Sequence, residues 1–246
     1  MDVGFKTDTG KRRQNNEDAF FVMKKDGIYI VADGVGGTNS GEIASRTAVN
    51  EVVQYFEDHK LVATKREEIC GEIFEAIKRA NYRVYDMAQR YSENRGMATT
   101  MVVACIRGRD VFLCNVGDSR AYLYDNGKLN QLSDDHTYVN ALVKAGVISR
   151  KEAENHMDKN MITKAVGAER DVEPDFFHVT LSEEGCLLLC TDGLYGEVTD
   201  EKIAEIIGKG MNMTDTCEAM VDEANKNGGH DNITVICIKL TEEEIR

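Results

Sequence analysis

Apolar residues fall in short, dense runs along most of this chain, and the runs have the length of β-strands. They cover 20–23, 28–32, 99–106, 110–116, 119–124, 129–132, 175–181, 186–190 and 233–240. Val, Ile, Leu and Phe dominate them, and Gly, Asn and Asp bound them, as suits a pleated surface between turns. Asn126-Gly127 separates Ala121-Tyr122-Leu123-Tyr124 from Leu129-Asn130-Gln131-Leu132, which predicts a type I′ hairpin. Arg107-Gly108-Arg109-Asp110 joins two further runs, and joins this short make neighbouring strands antiparallel.

Two long stretches change period. Over 41–58, Ile43, Ala44, Ala48, Val52, Val53 and Phe56 recur at helical spacing, and over 65 to about 92 so do Ile69, Ile73, Ala76, Ile77, Ala80, Val84 and Met87. One apolar stripe per helix packs on a sheet. Thr64 with Glu67 predicts a capping box at the second start, and Ser149 with Glu152 another inside 136–165. Shorter helices are expected near 200–208 and 215–226. Segment 136–165 is polar and poor in strand pattern, an excursion from the core of the kind that serves as a lid or as plain surface. Antiparallel strands with paired helices predict an α+β fold of two facing sheets with helices outside. With one Pro and no linker, repeat or biased tract, residues 1–246 are expected to form one domain.

Carboxylates punctuate this pattern. Asp33 follows Ile28-Tyr29-Ile30-Val31-Ala32, Asp118 follows the run ending Asn115-Val116-Gly117, Asp192 follows Leu187-Leu188-Leu189-Cys190-Thr191, and Asp231 opens the last strand. One Asp-Gly after a strand is an ordinary turn pair. Four acids at strand mouths, gathered by a fold, make an all-oxygen pocket for hard divalent cations such as Mg²⁺ or Mn²⁺, and two such ions together suit phosphate-ester hydrolysis. Upstream stands Arg13-Gln14-Asn15-Asn16-Glu17-Asp18. Arg13 offers a planar fork matched to phosphate oxygens, while Glu17 and Asp18 suit the shell behind a metal. Gly34 lets a backbone carbonyl approach a cation. The following Gly36-Gly37-Thr38-Asn39-Ser40-Gly41 lacks the residues of a P-loop or a dinucleotide fingerprint.

Charge narrows the partners. A formal net charge of −13 argues against nucleic acid, because too few cations are present to displace phosphate counterions. It would also repel a phosphorylated substrate unless bound cations or a local Arg reverse the sign. No apolar run reaches membrane-spanning length and no secretory leader is apparent. The seven Cys, an odd number without a Cys-x-x-Cys pair, read as reduced thiols of a cytoplasmic protein.

Taken in order, Arg13 through Asp18, Ala32 through Gly41, Gly96-Met97-Ala98-Thr99-Thr100, Asn115 through Arg120, Cys190 through Leu194 and Gly229 through Thr234 resemble the metal-dependent serine/threonine protein phosphatases of the 2C type, in their bacterial branch. The resemblance implies an α-β-β-α sandwich and a dinuclear Mn²⁺ or Mg²⁺ centre bridged by Asp33. Asp192 and Asp231 would hold one ion and the Gly34 carbonyl the other. Asp118 would share a third, weaker ion with Asp192, and 136–165 would be the family's flap. It implies phosphorylated protein substrates opposite a cognate serine/threonine kinase, a monomer, and attack on phosphorus by water bridging the ions. Animal members carry a His two residues after the bridging Asp, whereas Val35 stands here. That leaves the leaving-group proton to metal-bound water or to His136. An aspartyl-phosphate phosphatase needs Asp-x-Asp after a strand, which neither Val31-Ala32-Asp33 nor Cys190-Thr191-Asp192 provides. An inactive phosphatase-like binding module is the remaining alternative, and each implied metal position here is still Asp.

Overall fold

The computed structural model describes residues 1–36 and 40–241. Gly37-Thr38-Asn39, part of the glycine-rich stretch, lie outside the described residues, as do 242–246. One sheet contains β1 (Asp2–Asp8), β7 (Arg120–Asp125), β8 (Lys128–Gln131), β10 (Cys186–Cys190) and β11 (Ile233–Lys239), in the order β1-β11-β10-β7-β8. The other contains β2 (Asp18–Met23), β3 (Ile28–Val35), β5 (Met101–Arg107), β6 (Asp110–Val116) and β9 (Asp175–Thr180) in that order, with β4 (Ala98–Thr99) paired to β3. Every strand pairing among the described residues is antiparallel.

Alternation along the strands divides the core into three layers. Tyr29, Val31, Val102, Ala104, Leu187, Leu189, Ile236 and Ile238 interdigitate between the sheets. Ile28, Ile30, Val103 and Cys105 face the other way, onto α1 (Ser40–Asp58) and α2 (Arg66–Arg90). Leu188, Cys190, Val235 and Cys237 face α6 (Asp200–Ile207) and α7 (Met213–Asn227). The result is the expected α-β-β-α sandwich. All seven cysteines are free, and all but Cys70 are buried. Among the described residues, no helix is long and apolar enough to cross a membrane.

The hairpin at Asn126-Gly127 has positive φ at both residues, 49° and 75°, as a type I′ turn demands. Ser149 and Glu152 form the predicted capping box of α4 (Arg150–Glu154). The one expected at Thr64 and Glu67 does not form: α2 starts one residue later, with Lys65 at its N-cap and no side-chain cap. Strand β1 was not foreseen, because Asp2-Val3-Gly4-Phe5-Lys6-Thr7-Asp8 carries few apolar positions. It is an edge strand covered by α7, and a Cβ at Gly4 would overlap the Met213 carbonyl. Segment 136–165 contains α3 (Tyr138–Lys144) as well as α4, and its two ends are drawn together by an antiparallel bridge between Thr137 and Ile162.

Candidate active site

Four chain segments meet where the two sheets open at one end. Register sets the first pair: β2 against β3 places Asp18 directly opposite Asp33. Like charges facing across a ladder repel, so this pairing is stable only when one acid is protonated or a cation lies between them. Strand β10 runs into the short helix α5 (Asp192–Tyr195), which starts with Asp192, and Asp231 precedes the adjacent strand β11. Asp118 sits in the turn that carries the chain from β6 in one sheet to β7 in the other. Topology thus gathers acids separated by about 200 positions in sequence.

Hydroxyls and amides from neighbouring strands hold these acids. The Asp33 amide donates to the Thr100 hydroxyl at 2.9 Å, while the Thr100 amide and the Thr99 hydroxyl donate to the Asp33 carbonyl at 2.8 and 2.7 Å. Thr191 donates its hydroxyl to Asp18 Oδ2 at 2.9 Å, and Thr234 donates to the same carboxylate. The Thr7 hydroxyl in turn lies 2.7 Å from that of Thr234. Asn232 ties its loop to the connection between β1 and β2 at three points: its Oδ1 accepts the Glu17 amide at 2.7 Å, and its Nδ2 donates to the carbonyls of Thr9 and Asn15, both at 2.9 Å. The Gly34 amide donates to the Glu17 carbonyl at 3.1 Å, and a Cβ at Gly34 would overlap the Gly41 carbonyl. Glycine is required at Gly34 by close backbone approach.

Arg13 is half exposed at the rim, with Nη2 2.6 Å from Asp231 Oδ2. Below it the charge is one-sided. Burial, and then the charges of Asp18, Asp192, Asp118 and Asp231, push the Asp33 carboxyl well above its usual range. Burial raises Asp18 to about 7, although the Thr234 and Thr191 hydroxyls oppose the rise. Asp118 is also raised to about 7 by burial and by Asp192. Asp192 is raised to about 6 by burial and Asp231, with a hydrogen bond from Asp33 and the charge of Arg13 acting in the other direction. Glu17, half-buried beside Arg13, is raised mainly by burial.

A hard divalent cation fits this donor set. The ligand atoms are oxygens, and Asp18 Oδ1 and Asp192 Oδ1 are buried with no hydrogen-bond partner, a costly state unless something positive completes them. Among the described residues no three acids stand in a closed ligand cage, and Arg13 takes one Asp231 oxygen. A cation bound here would compete with Arg13 for that oxygen.

The Asp118 turn is held rigidly from outside. The Tyr195 hydroxyl donates to the Asp118 carbonyl at 2.9 Å. The Arg120 guanidinium lies 3.6 Å from the centroid of the Tyr195 ring and makes a fork with Asp135, whose shortest contact is 2.6 Å. His136 clamps Gly117 twice: its amide donates to the Gly117 carbonyl at 3.0 Å, and its Nδ1 accepts the Gly117 amide at 3.1 Å. Burial keeps the ring neutral, its pKa lowered despite Asp175. Nε2 points to Asp175 at 3.3 Å without hydrogen-bond alignment. His136 is thus a holder of the Asp118 turn. Val35 closes β3 with an exposed apolar side chain. The supporting roles of Thr191, Thr234, Asn232, Tyr195 and His136 were missed in the sequence. Of these, only His136, as a titratable residue, and Asn232, beside Asp231, gave a signal.

Two facing antiparallel sheets between helix pairs, with a carboxylate-lined mouth and one rim Arg, define a metal-dependent phosphatase architecture. The chain belongs to the protein phosphatase 2C family, which it matches over residues 8–227. It is 36% identical over 242 residues to the serine/threonine phosphatase stp of Listeria innocua, covering 97% of this chain and 96% of that one. The serine/threonine phosphatase structure of S. agalactiae superposes with a TM-score of 0.90 at 33% identity, covering 97% of this chain and 99% of that one. The catalytic domain of the serine/threonine protein phosphatase PstP, solved with two manganese ions, gives a TM-score of 0.83 at 28% identity, with 96% of both chains covered.

Proposed function

We propose that this protein is a metal-dependent phosphoprotein phosphatase that hydrolyses phosphoserine and phosphothreonine, acting in the cytoplasm opposite a serine/threonine kinase. The observation that carries the reading is the register that sets Asp18 against Asp33, with buried oxygens of Asp18 and Asp192 left without partners. We assign residues 1–246 to one catalytic unit with 136–165 as its flap.

Asp33, Asp192, Asp231 and the Gly34 carbonyl would hold two Mn²⁺ or Mg²⁺ ions. Asp118 with Asp192 holds a third, weaker one. Bound there, the ions supply Lewis acidity, lowering the pKa of water and neutralising charge on the phosphoryl oxygens. Arg13 uses one nitrogen on Asp231, and its other donors orient the substrate phosphate from the rim. Thr191 holds Asp18 through Oδ2, and the unpartnered Oδ1 of Asp18 would orient water beside the ions. Thr99 and Thr100 fix the backbone of Asp33 on both sides. Val35 has no proton to give the leaving alkoxide, so that proton would come from water or from His136, whose Nδ1 accepts from Gly117 and leaves its proton on Nε2.

Titration calorimetry with Mn²⁺ tests the assignment. The metal-free chain is expected to bind two ions tightly, and Asp33→Asn and Asp192→Asn are each expected to lose at least one. Undiminished Mn²⁺ binding by both variants contradicts these ligands.

A further inference from the structure

The segment carrying Arg13 also carries two cations that the site does not use. Lys11 and Arg12 are exposed and, among the described residues, neither forms an ion pair. They are fixed beside the site. The Lys11 and Arg12 amides both donate to the Gly229 carbonyl, at 2.7 and 3.2 Å. A Cβ at Gly229, where φ is +54°, would stand 3.3 Å from Lys11 Cγ, so the Lys11 stem lies along that loop. A Cβ at Gly10 would overlap the Asp231 carbonyl. Backbone interlock therefore holds Lys11 and Arg12 next to the Arg13–Asp231 pair. On the same loop, His230 Nδ1 is 2.6 Å from Glu197 Oε1, while Asp8 Oδ1 accepts the Gly10 amide at 2.8 Å.

A basic rim on a chain of net charge −13 is a local reversal of sign at the place where a phosphorylated chain must enter. Lys and Arg held by their backbones, with long free side chains, suit carboxylates several residues' width from the phosphate rather than the phosphate itself. We propose that Lys11 and Arg12 form a recognition rim that selects phosphoproteins with Asp or Glu flanking the phosphorylated residue. This rests on the phosphatase reading above and names its substrate class.

The test uses the full chain with Mn²⁺ and three phosphothreonine peptides that differ only in their flanks, which are acidic, alanine or lysine. Exposed charge pairs each contribute about two- to fivefold, so kcat/KM should favour acidic over alanine flanks by about tenfold at low salt. The preference should shrink at about 0.5 M salt, where the screening length is a few ångströms. The double variant Lys11→Gln with Arg12→Gln should abolish the preference, and Lys11→Glu with Arg12→Glu should invert it. Both should hydrolyse p-nitrophenyl phosphate and the alanine peptide within about twofold of the parent, since neither residue touches the reacting atoms. Equal kcat/KM of the parent on all three peptides, or equal loss on every substrate in the variants, overturns the proposal alone. A parent that turned over none of the peptides would overturn the phosphatase reading and this proposal with it.

Discussion

Replacing Asp118 by Asn should stabilise the metal-free protein, and only at neutral and alkaline pH. The carboxyl is 6% exposed, and burial and Asp192 raise it from 3.8 to about 7. The folded state holds this proton more tightly than the unfolded chain does. The stability it contributes is therefore full below about pH 4 and disappears as pH climbs through about 7. At about 1.4 kcal/mol per pH unit, ionised Asp118 costs the metal-free fold up to about 4 kcal/mol at pH 8. Water entry and movement of the turn reduce this to about 2–4 kcal/mol. Asn keeps the size and cannot ionise, so Asp118→Asn should raise Tm in chelator at pH 8 by about 5–10 °C for a chain of this length. At pH 4.5 the gain should nearly vanish. Thermal unfolding followed by circular dichroism in chelator at the two pH values decides it. A gain as large at pH 4.5 as at pH 8, or no gain at pH 8, would refute the claim that the acids repel one another in a desolvated site.

The same residue separates substrates. Asp118→Ala should slow phosphopeptide hydrolysis more than that of p-nitrophenyl phosphate, whose phenolate leaves without a proton, and steady-state kinetics on both reads this directly. Asp33→Ala, Asp192→Ala and Asp231→Ala should each remove turnover while circular dichroism shows the fold intact, and unfolding of these variants would make the positions structural. Arg13→Ala should raise KM, with a smaller loss in kcat, because a phosphate contact goes while the acids below remain.

Much of this architecture is written in local pattern. The hairpin at Asn126-Gly127, the stripes of α1 and α2 and the strands carrying Val31, Leu188 and Ile236 follow from period and turn chemistry, because each has a buried face that must alternate. Strand β1 escaped because an edge strand covered by α7 has little apolar signal of its own. The false cap at Thr64 shows that a capping pair fixes a helix start only where packing allows it, and α2 begins its buried face at Ile69. Asp33, Asp192 and Asp231 were visible as acids at strand mouths. Their supports Thr191, Thr234 and Asn232 were not, since a threonine hydroxyl becomes a donor to Asp18 only when β10 and β11 lie beside β2. His136 was legible as a titratable residue near the site, but its clamp on Gly117 was not, because that depends on the base of segment 136–165.

The central claim is that these gathered carboxylates hold divalent cations that hydrolyse phosphoproteins, and phosphate release from a phosphothreonine peptide tests it most directly. The chain stripped by chelator should release no phosphate, and adding Mn²⁺ or Mg²⁺ should restore release in the parent but not in Asp33→Asn. Full phosphate release after exhaustive chelation, or equal release by Asp33→Asn, would contradict it.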